Sequence, residues 1–149
     1  MIDLSTSYAG LELKSPVIVS SSGLTNSIER IRKIGHAAVM KSLFEEQILH
    51  EIGSMSSNSD YPEADDYLRT YARENSLDNY LKMIVDAKDM VDIPIFASIN
   101  CVSSSEWVDF TSEIEKAGAD GIELNIYFLP INKDKDPREY EKTYLDIVS

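Results

Sequence analysis

Short apolar runs that end in polar side chains recur along the chain. In the clearest one, Ala119–Ile126, small residues lead into an apolar segment that delivers Asn125. The other runs occupy residues 16–20, 37–42 and 94–100, and each also ends in polar residues. This pattern is typical of buried parallel strands whose C-terminal ends share one edge of a sheet.

Helical signals follow the first two runs. Residues 28–34 have an apolar side, Asn26 or Ser27 is suited to cap them, and Gly35 ends the segment. After the second run, helical spacing predicts a further helix over residues 43–52.

The connection between the second and third runs is long. Residues 53–60 are polar and low in complexity, and an acidic stretch after them predicts a short helix that ends at Tyr71. We therefore interpret residues 43–75 as an inserted lid, because long loops inside compact domains often carry function.

The later helices have clear start signals. Ser76 is suited to cap a helix that ends before Pro94, and Ser103 with Glu106 fits a capping box. Asp136, followed by a proline and by a glutamate at the third helical position, predicts the last helix. Each predicted strand is thus followed by a helix.

These units predict an α/β fold. Residues 5–8 and 11–13 alternate weakly around the dipeptide Ala9-Gly10, which predicts a short N-terminal hairpin before the first unit. A complete (β/α)8 barrel needs about 250 residues, so the 149 residues form one domain with room for four units, a half-barrel. A flavodoxin-like doubly wound sheet is the alternative, and strand order distinguishes the two.

Net charge, cysteine content and the lengths of the apolar segments reduce the number of possible partners and cofactors. The net charge of -12 argues against a nucleic-acid partner, because phosphate contacts need clustered Lys and Arg. The single cysteine excludes an internal disulfide and a cysteine-based metal cluster, and we expect no metal. The N-terminus lacks the pattern of a signal peptide, and no segment approaches the length of a membrane span, so we expect a cytoplasmic protein without a membrane partner.

Candidate chemistry lies at the strand ends. Lys41 ends an apolar strand, where a charge is costly without a partner, so a ligand contact is favoured over a lysine that extends to solvent. The small, polar loop at residues 21–25 is suited to a planar or anionic ligand, although an ordinary strand-to-helix loop has the same composition. We interpret His36, which precedes the second strand, as structural.

The motifs at the four strand ends resemble a known family when they are taken together and in order. They are Ser15–Ser22, Met40–Ile48, Ile93–Asn100 and Ala117–Asn125. On these motifs the chain resembles the N-terminal half of a dihydroorotate dehydrogenase-like protein of the FMN-dependent barrel family.

The resemblance implies FMN as cofactor and a small dihydropyrimidine-like molecule as substrate. It assigns flavin contacts to Ser21, Ser22, Gly23, Lys41, Ser42, Asn100 and Asn125. It also assigns substrate contacts to Asn100 and Asn125. A positive charge at Lys41 would stabilise the anionic reduced flavin.

The chain also departs from the family. Phe128 stands at the position of the family's catalytic cysteine base and cannot accept a proton. Cys101 is the weak candidate for a substitute base, whereas a buried structural thiol is the common case. The Gly-rich segment that holds the flavin phosphate in this family is absent, so we expect a truncated product, a fragment, or a half-barrel that pairs with a second copy.

Two functions therefore compete. The first is an FMN-dependent oxidoreductase scaffold of reduced or no activity in this chain. The second is a non-catalytic half-barrel that acts as an assembly or binding module. In both cases we expect a homo-oligomer, because a half-barrel exposes the unpaired edges of its sheet.

Overall fold

A computed structural model of the protein describes residues 2–44, 62–100, 104–126, 133 and 136–148. Strands and helices alternate through most of these ranges. In chain order the elements are β1 (Thr6–Tyr8), β2 (Leu11–Leu13), β3 (Ile18–Val19), α1 (Ile28–Ile31), β4 (Ala37–Val39), β5 (Leu43–Phe44), α2 (Pro62–Met90), β6 (Ile95–Asn100), α3 (Ser104–Lys116), β7 (Gly121–Leu124) and α4 (Pro137–Val148).

The main sheet is parallel, and its strands follow the chain order. β3 pairs with β4, β4 pairs with β6, and β6 pairs with β7, all in parallel. The predicted sequential parallel sheet is confirmed. The flavodoxin-like alternative is wrong for the described residues, because that fold places its first strand between the second and third.

The second strand of the main sheet, β4, is interrupted after Val39 and then resumes as β5. Val39 lies opposite Phe96, and Leu43 lies opposite Ile99. The second strand thus advances by four residues while β6 advances by three, so it contains one extra residue, as in a β-bulge.

The helix predicted over residues 43–52 is wrong at its start. Leu43 and Phe44 form a strand that pairs with β6 in parallel. Leu43 also packs against the hydrophobic core, so pairing and burial override the local helical spacing. Residues 45–52 lie outside the described residues.

The N-terminal hairpin is confirmed. β1 and β2 pair antiparallel around Ala9 and Gly10, whose φ angles are 51° and 80°. Positive φ at both central residues is the signature of a type I′ turn, which matches the twist of the flanking strands. Glycine adopts this conformation without steric cost.

Two helix predictions need correction. α1 ends at Ile31 instead of Ile34, since Arg32 and Lys33 continue only as a turn. α2 is continuous from Pro62 to Met90, so Ser76 lies inside a helix and caps nothing. No proline or glycine occurs between residues 63 and 90 to break it.

The lid interpretation of residues 43–75 remains a prediction, since residues 45–61 lie outside the described ranges.

The start of α4 is confirmed, because the backbone N–H of Arg138 donates to Oδ1 of Asp136 at 2.9 Å. This bond satisfies one of the free amides at the helix start.

The two faces of the sheet have different covers. The helices α1, α2 and α3 lie on one face, where Ile31, Ile84 and Ile114 pack on strand residues in a single cluster. The hairpin lies on the other face, where Leu13 belongs to a smaller cluster. The strand residues of that smaller cluster are Ala37, Val39 and Phe96.

The fourth strand of the main sheet, β7, is more exposed than the sequence pattern predicts. Glu123 and Leu124 of β7 are exposed, as is Asn125 after them. Within the described residues β7 pairs only with β6, so it is an edge strand. Among the described helices, none combines the length and apolar character that crossing a membrane requires.

Candidate functional site

The predicted site residues lie along one edge of the sheet, the edge formed by the C-terminal ends of its strands. Ser21 follows β3, Ser42 lies in the interruption of the second strand, Asn100 ends β6 and Asn125 follows β7. Because the strands are parallel, their C-terminal ends meet at this edge. Lys41 lies there as well and is half-buried.

A chain of hydrogen-bonded side chains crosses the sheet near this edge. The hydroxyls of Ser21 and Ser42 are 2.9 Å apart, and those of Ser42 and Ser98 are 2.8 Å apart. The Ser98 hydroxyl in turn donates to Oε1 of Glu123 at 2.8 Å. Side chains from four successive strands or strand ends are therefore joined in one serine–glutamate chain.

The carboxylate fixes the direction of this chain. An ionised Glu123 only accepts, so the single hydroxyl hydrogen of Ser98 is committed to it. Ser42 must then donate to Ser98, and Ser21 must donate to Ser42. The Ser21 hydroxyl also accepts the backbone N–H of Ser42 at 2.9 Å. All three hydroxyl hydrogens are thus used inside the protein.

The sequence interpretation missed Ser98 and Glu123. Ser98 is fully buried, and it is the polar residue in the middle of the otherwise apolar segment of β6. Glu123 stands between Ile122 and Leu124 in the fourth run. A polar residue inside a predicted buried strand needs a partner, and that was the available signal.

A tyrosine completes the backbone hydrogen bonding of Ser98. The Tyr80 hydroxyl accepts the Ser98 N–H at 2.8 Å and donates to the Ser98 carbonyl oxygen at 3.1 Å. Burial above all, with a contribution from the negative charge of Glu123, raises the pKa of Tyr80 to about 12, although the bond to the Ser98 backbone acts in the opposite direction. Tyr80 therefore stays neutral at ordinary pH.

The loop after β3 is largely bonded to itself. The N–H of Ser22 donates to Oγ1 of Thr25, and the N–H of Thr25 donates back to the Ser22 carbonyl, each at 3.1 Å. The N–H of Leu24 donates to Oγ of Ser22 at 3.2 Å. The Gly23 carbonyl accepts from the Arg30 guanidinium. These three amides already have acceptors, so the ligand-binding interpretation of the loop loses three of its donors.

A cavity of about 370 Å³ lies between the hairpin turn and the sheet. Its wall includes the ring of Phe96, which lies against Gly121 so closely that a Cβ there would stand 2.7 Å from a ring atom. The lining residues are Tyr8, Ala9, Ile18, Ser20, Val39, Phe96, Asp120, Gly121, Ile122 and Glu123. Hydrophobic side chains and Glu123 thus line the same space.

Asp120 joins the start of β7 to its neighbours. Its Oδ2 accepts the N–H of Ile95 at 2.7 Å and Nζ of Lys88 at 2.6 Å. Its own N–H donates to the Ile95 carbonyl at 2.9 Å. This carboxylate links β6, β7 and the end of α2, so its role is structural.

His36 lies away from the serine–glutamate chain. His36 is hydrogen-bonded through Nδ1 to the Ser15 hydroxyl at 2.9 Å, where β4 begins, at the end of the sheet away from the serine–glutamate chain. This position agrees with the structural role predicted for it. Cys101 and Phe128 lie outside the described residues.

Comparison with known proteins does not assign a family. No protein-family model matches the chain, and no curated protein matches it either. The sequence resemblance and the geometry of the described residues are therefore the basis for assigning a function.

Proposed function

We propose that the chain is one half of a (β/α)8-type barrel and serves as a scaffold for FMN-dependent oxidation of a small dihydropyrimidine-like substrate in the cytoplasm. The observation that supports it best is the sequential parallel sheet with its helices on one face and its polar residues at the C-terminal edge. Barrel enzymes build their sites at that edge.

The donor set at this edge suits the ring of a flavin. A flavin ring carries carbonyl and N–H groups along its edges, which the amides of Asn100 and Asn125 complement. The half-buried residue Lys41 supplies a positive charge, and Ser21 offers an acceptor because its hydrogen is committed to Ser42. When bound, the flavin would supply a two-electron acceptor for the substrate.

Phosphate binding is the weak part of this donor set. Among the described residues no Gly-rich helix start is present, and such a segment is the usual cradle for a phosphate. We therefore expect weak flavin binding.

Low turnover follows from the sequence. Proton abstraction from a dihydropyrimidine needs a base, and Phe128 provides none. General-base catalysis typically contributes about 10²–10⁴-fold in rate. We expect dihydroorotate oxidation to be slow or absent, and normal turnover would indicate Cys101 or a residue of the 43–75 segment as the base.

A non-catalytic assembly module is the second candidate. The hydrophobic side chains Tyr8, Val17 and Leu24 are exposed by 58%, 52% and 65%. Exposed apolar side chains of this size are suited to an interface. Under this proposal the protein pairs with a second copy.

Flavin binding is the decisive experiment. Titration of FMN with the protein, followed by quenching of flavin fluorescence, should give saturable binding that Lys41→Met weakens. Lys82→Met is the matched control, because Lys82 is an exposed lysine on α2 and its loss changes the net charge equally. Absence of saturable quenching in the wild type would overturn the flavin proposal and leave the assembly module.

A further inference from the structure

Glu123 lines the cavity, and among the described residues one of its two carboxylate oxygens has a hydrogen-bond partner. Its Oε1 accepts from the Ser98 hydroxyl, and the side chain lines the cavity between hairpin and sheet. Among the described residues no lysine, arginine or histidine lies within ion-pair distance of it. The charge is therefore held in place and available to a ligand.

The other acid of the cavity wall is already neutralised. Asp120 forms an ion pair with Lys88 at 2.6 Å and accepts the N–H of Ile95. Among the described residues that line the cavity, the remaining charged side chain is that of Glu123. The net charge of -12 adds a negative field that raises the local concentration of cations.

The rest of the wall is mainly hydrophobic and partly aromatic. The rings of Tyr8 and Phe96 meet edge to face, with centroids 6.4 Å apart and planes at 61°. Ile18, Val39 and Ile122 complete the apolar lining. A flat apolar body fits such a wall, and an aromatic face also attracts a cation.

The serine–glutamate chain disfavours the opposite kind of ligand. Its three hydroxyl hydrogens are committed within the chain, which ends on the carboxylate of Glu123. An anion or a ligand of acceptors alone would meet the charge of Glu123 without a hydroxyl donor from Ser98. Like charges at this distance repel each other.

We propose that this cavity is a binding site for an organic cation anchored by Glu123, namely an aromatic ring that carries a primary alkylammonium or an amidinium group. The cationic group donates to the second carboxylate oxygen of Glu123, and the ring packs against Phe96 and Tyr8. The site requires no flavin and does not involve Lys41, so it stands apart from the oxidoreductase proposal.

The test uses tryptamine as the cation and 3-indolepropionate as an anion of similar size and the same ring. Isothermal titration calorimetry without FMN should detect tryptamine binding that weakens as salt increases, and no binding of 3-indolepropionate at the same concentrations. Equal or tighter binding of the anion, or no binding of tryptamine, would overturn the proposal. This comparison needs only the wild-type protein.

A variant pair identifies the anchor. Glu123→Gln keeps an amide oxygen to accept from Ser98 and removes the charge, so the Kd of tryptamine should rise about tenfold or more, as for a lost charged hydrogen bond. Glu115→Gln, on the exposed side of α3, removes the same charge and should leave the Kd unchanged. An equal loss in both variants would reduce the effect to general electrostatics and refute the site. If Glu123→Gln does not fold, failure of the wild type to bind tryptamine in preference to 3-indolepropionate still overturns the proposal.

Discussion

The Tyr80 hydroxyl occupies the place of a backbone partner for Ser98. The carbonyls of Pro94 and Phe96 accept from the second strand, through the N–H groups of Ala38 and Met40. Ser98 lies two residues further along β6 and points its backbone groups to the same side, where the second strand is interrupted. The tyrosine, brought in by α2, satisfies both groups there.

Removal of the Tyr80 hydroxyl should therefore destabilise the fold strongly. Tyr80→Phe leaves the buried N–H and C=O of Ser98 without their partner, at about 1–3 kcal/mol for each unsatisfied group. Urea unfolding should show the lowered free energy of unfolding. Tyr8→Phe, at a tyrosine that is 58% exposed, is the control and should change it by less than about 0.5 kcal/mol. Equal stability of the two variants would contradict the role of Tyr80.

The same tyrosine predicts a loss of stability in alkali. Its pKa is about 12 in the folded protein and about 10 in an unfolded chain. A raised pKa stabilises the fold fully below the unfolded value, so this contribution is present below about pH 10 and is lost as the pH rises through about 12. The difference corresponds to about 2–3 kcal/mol. Urea unfolding across this range should show the decline, and Tyr80→Phe should show a smaller one.

The strand pattern made the sheet predictable, and the interruption made part of it unpredictable. Apolar runs bounded by polar residues identified the four parallel strands, and the Ala9-Gly10 pair identified the hairpin turn. The return of the second strand at Leu43 depends on pairing with Ile99, far along the chain. The apolar spacing of the residues around Leu43 indicated a helix. The pairing partner that makes this segment a strand lies more than 50 residues later, so the local sequence does not reveal it.

The contact between Gly121 and Phe96 predicts a second sensitive position. In Gly121→Ala the new methyl group would lie 2.7 Å from an atom of the Phe96 ring, so the ring or the backbone must shift. Overpacking of this kind costs about 1–3 kcal/mol. Gly35→Ala is the control, because a Cβ there meets nothing within 4 Å. Thermal unfolding of both variants should separate them, and an unchanged midpoint for Gly121→Ala would contradict the described packing.

The hydrogen bond that Asp120 accepts from Ile95 should contribute more to the free energy of unfolding than its ion pair with Lys88. Asp120→Asn keeps an oxygen for the Ile95 N–H and loses the charge opposite Lys88, at about 1 kcal/mol for this half-buried pair. Asp120→Ala also leaves the amide of the buried Ile95 unpaired, which adds about 1–3 kcal/mol. Chemical unfolding should rank wild type above Asp120→Asn and Asp120→Ala last. The reverse order of the two variants would refute this assignment.

Residue type and strand position predicted part of the candidate site. Ser21, Ser42, Asn100 and Asn125 were placed at the shared edge because the ends of parallel strands meet. The bonds between serines could not be predicted, because they depend on the extra residue in the second strand. That residue alters the side to which Ser42 points, and its effect appears only when the register with β6 is known.

Self-association should follow from the open edge of the sheet. Within the described residues β7 pairs only with β6, and its Leu124 is 36% exposed. An unpaired strand edge is a template for another chain, and a charged lysine on the edge opposes such pairing. Sedimentation velocity at micromolar concentration should show a dimer or larger species, and Leu124→Lys should shift it towards monomer. Leu145→Lys, on the exposed side of α4 at 69% exposure, is the control and should leave the distribution unchanged. A stable wild-type monomer would refute the prediction, and an equal shift in both variants would assign the effect to charge instead of the β7 edge.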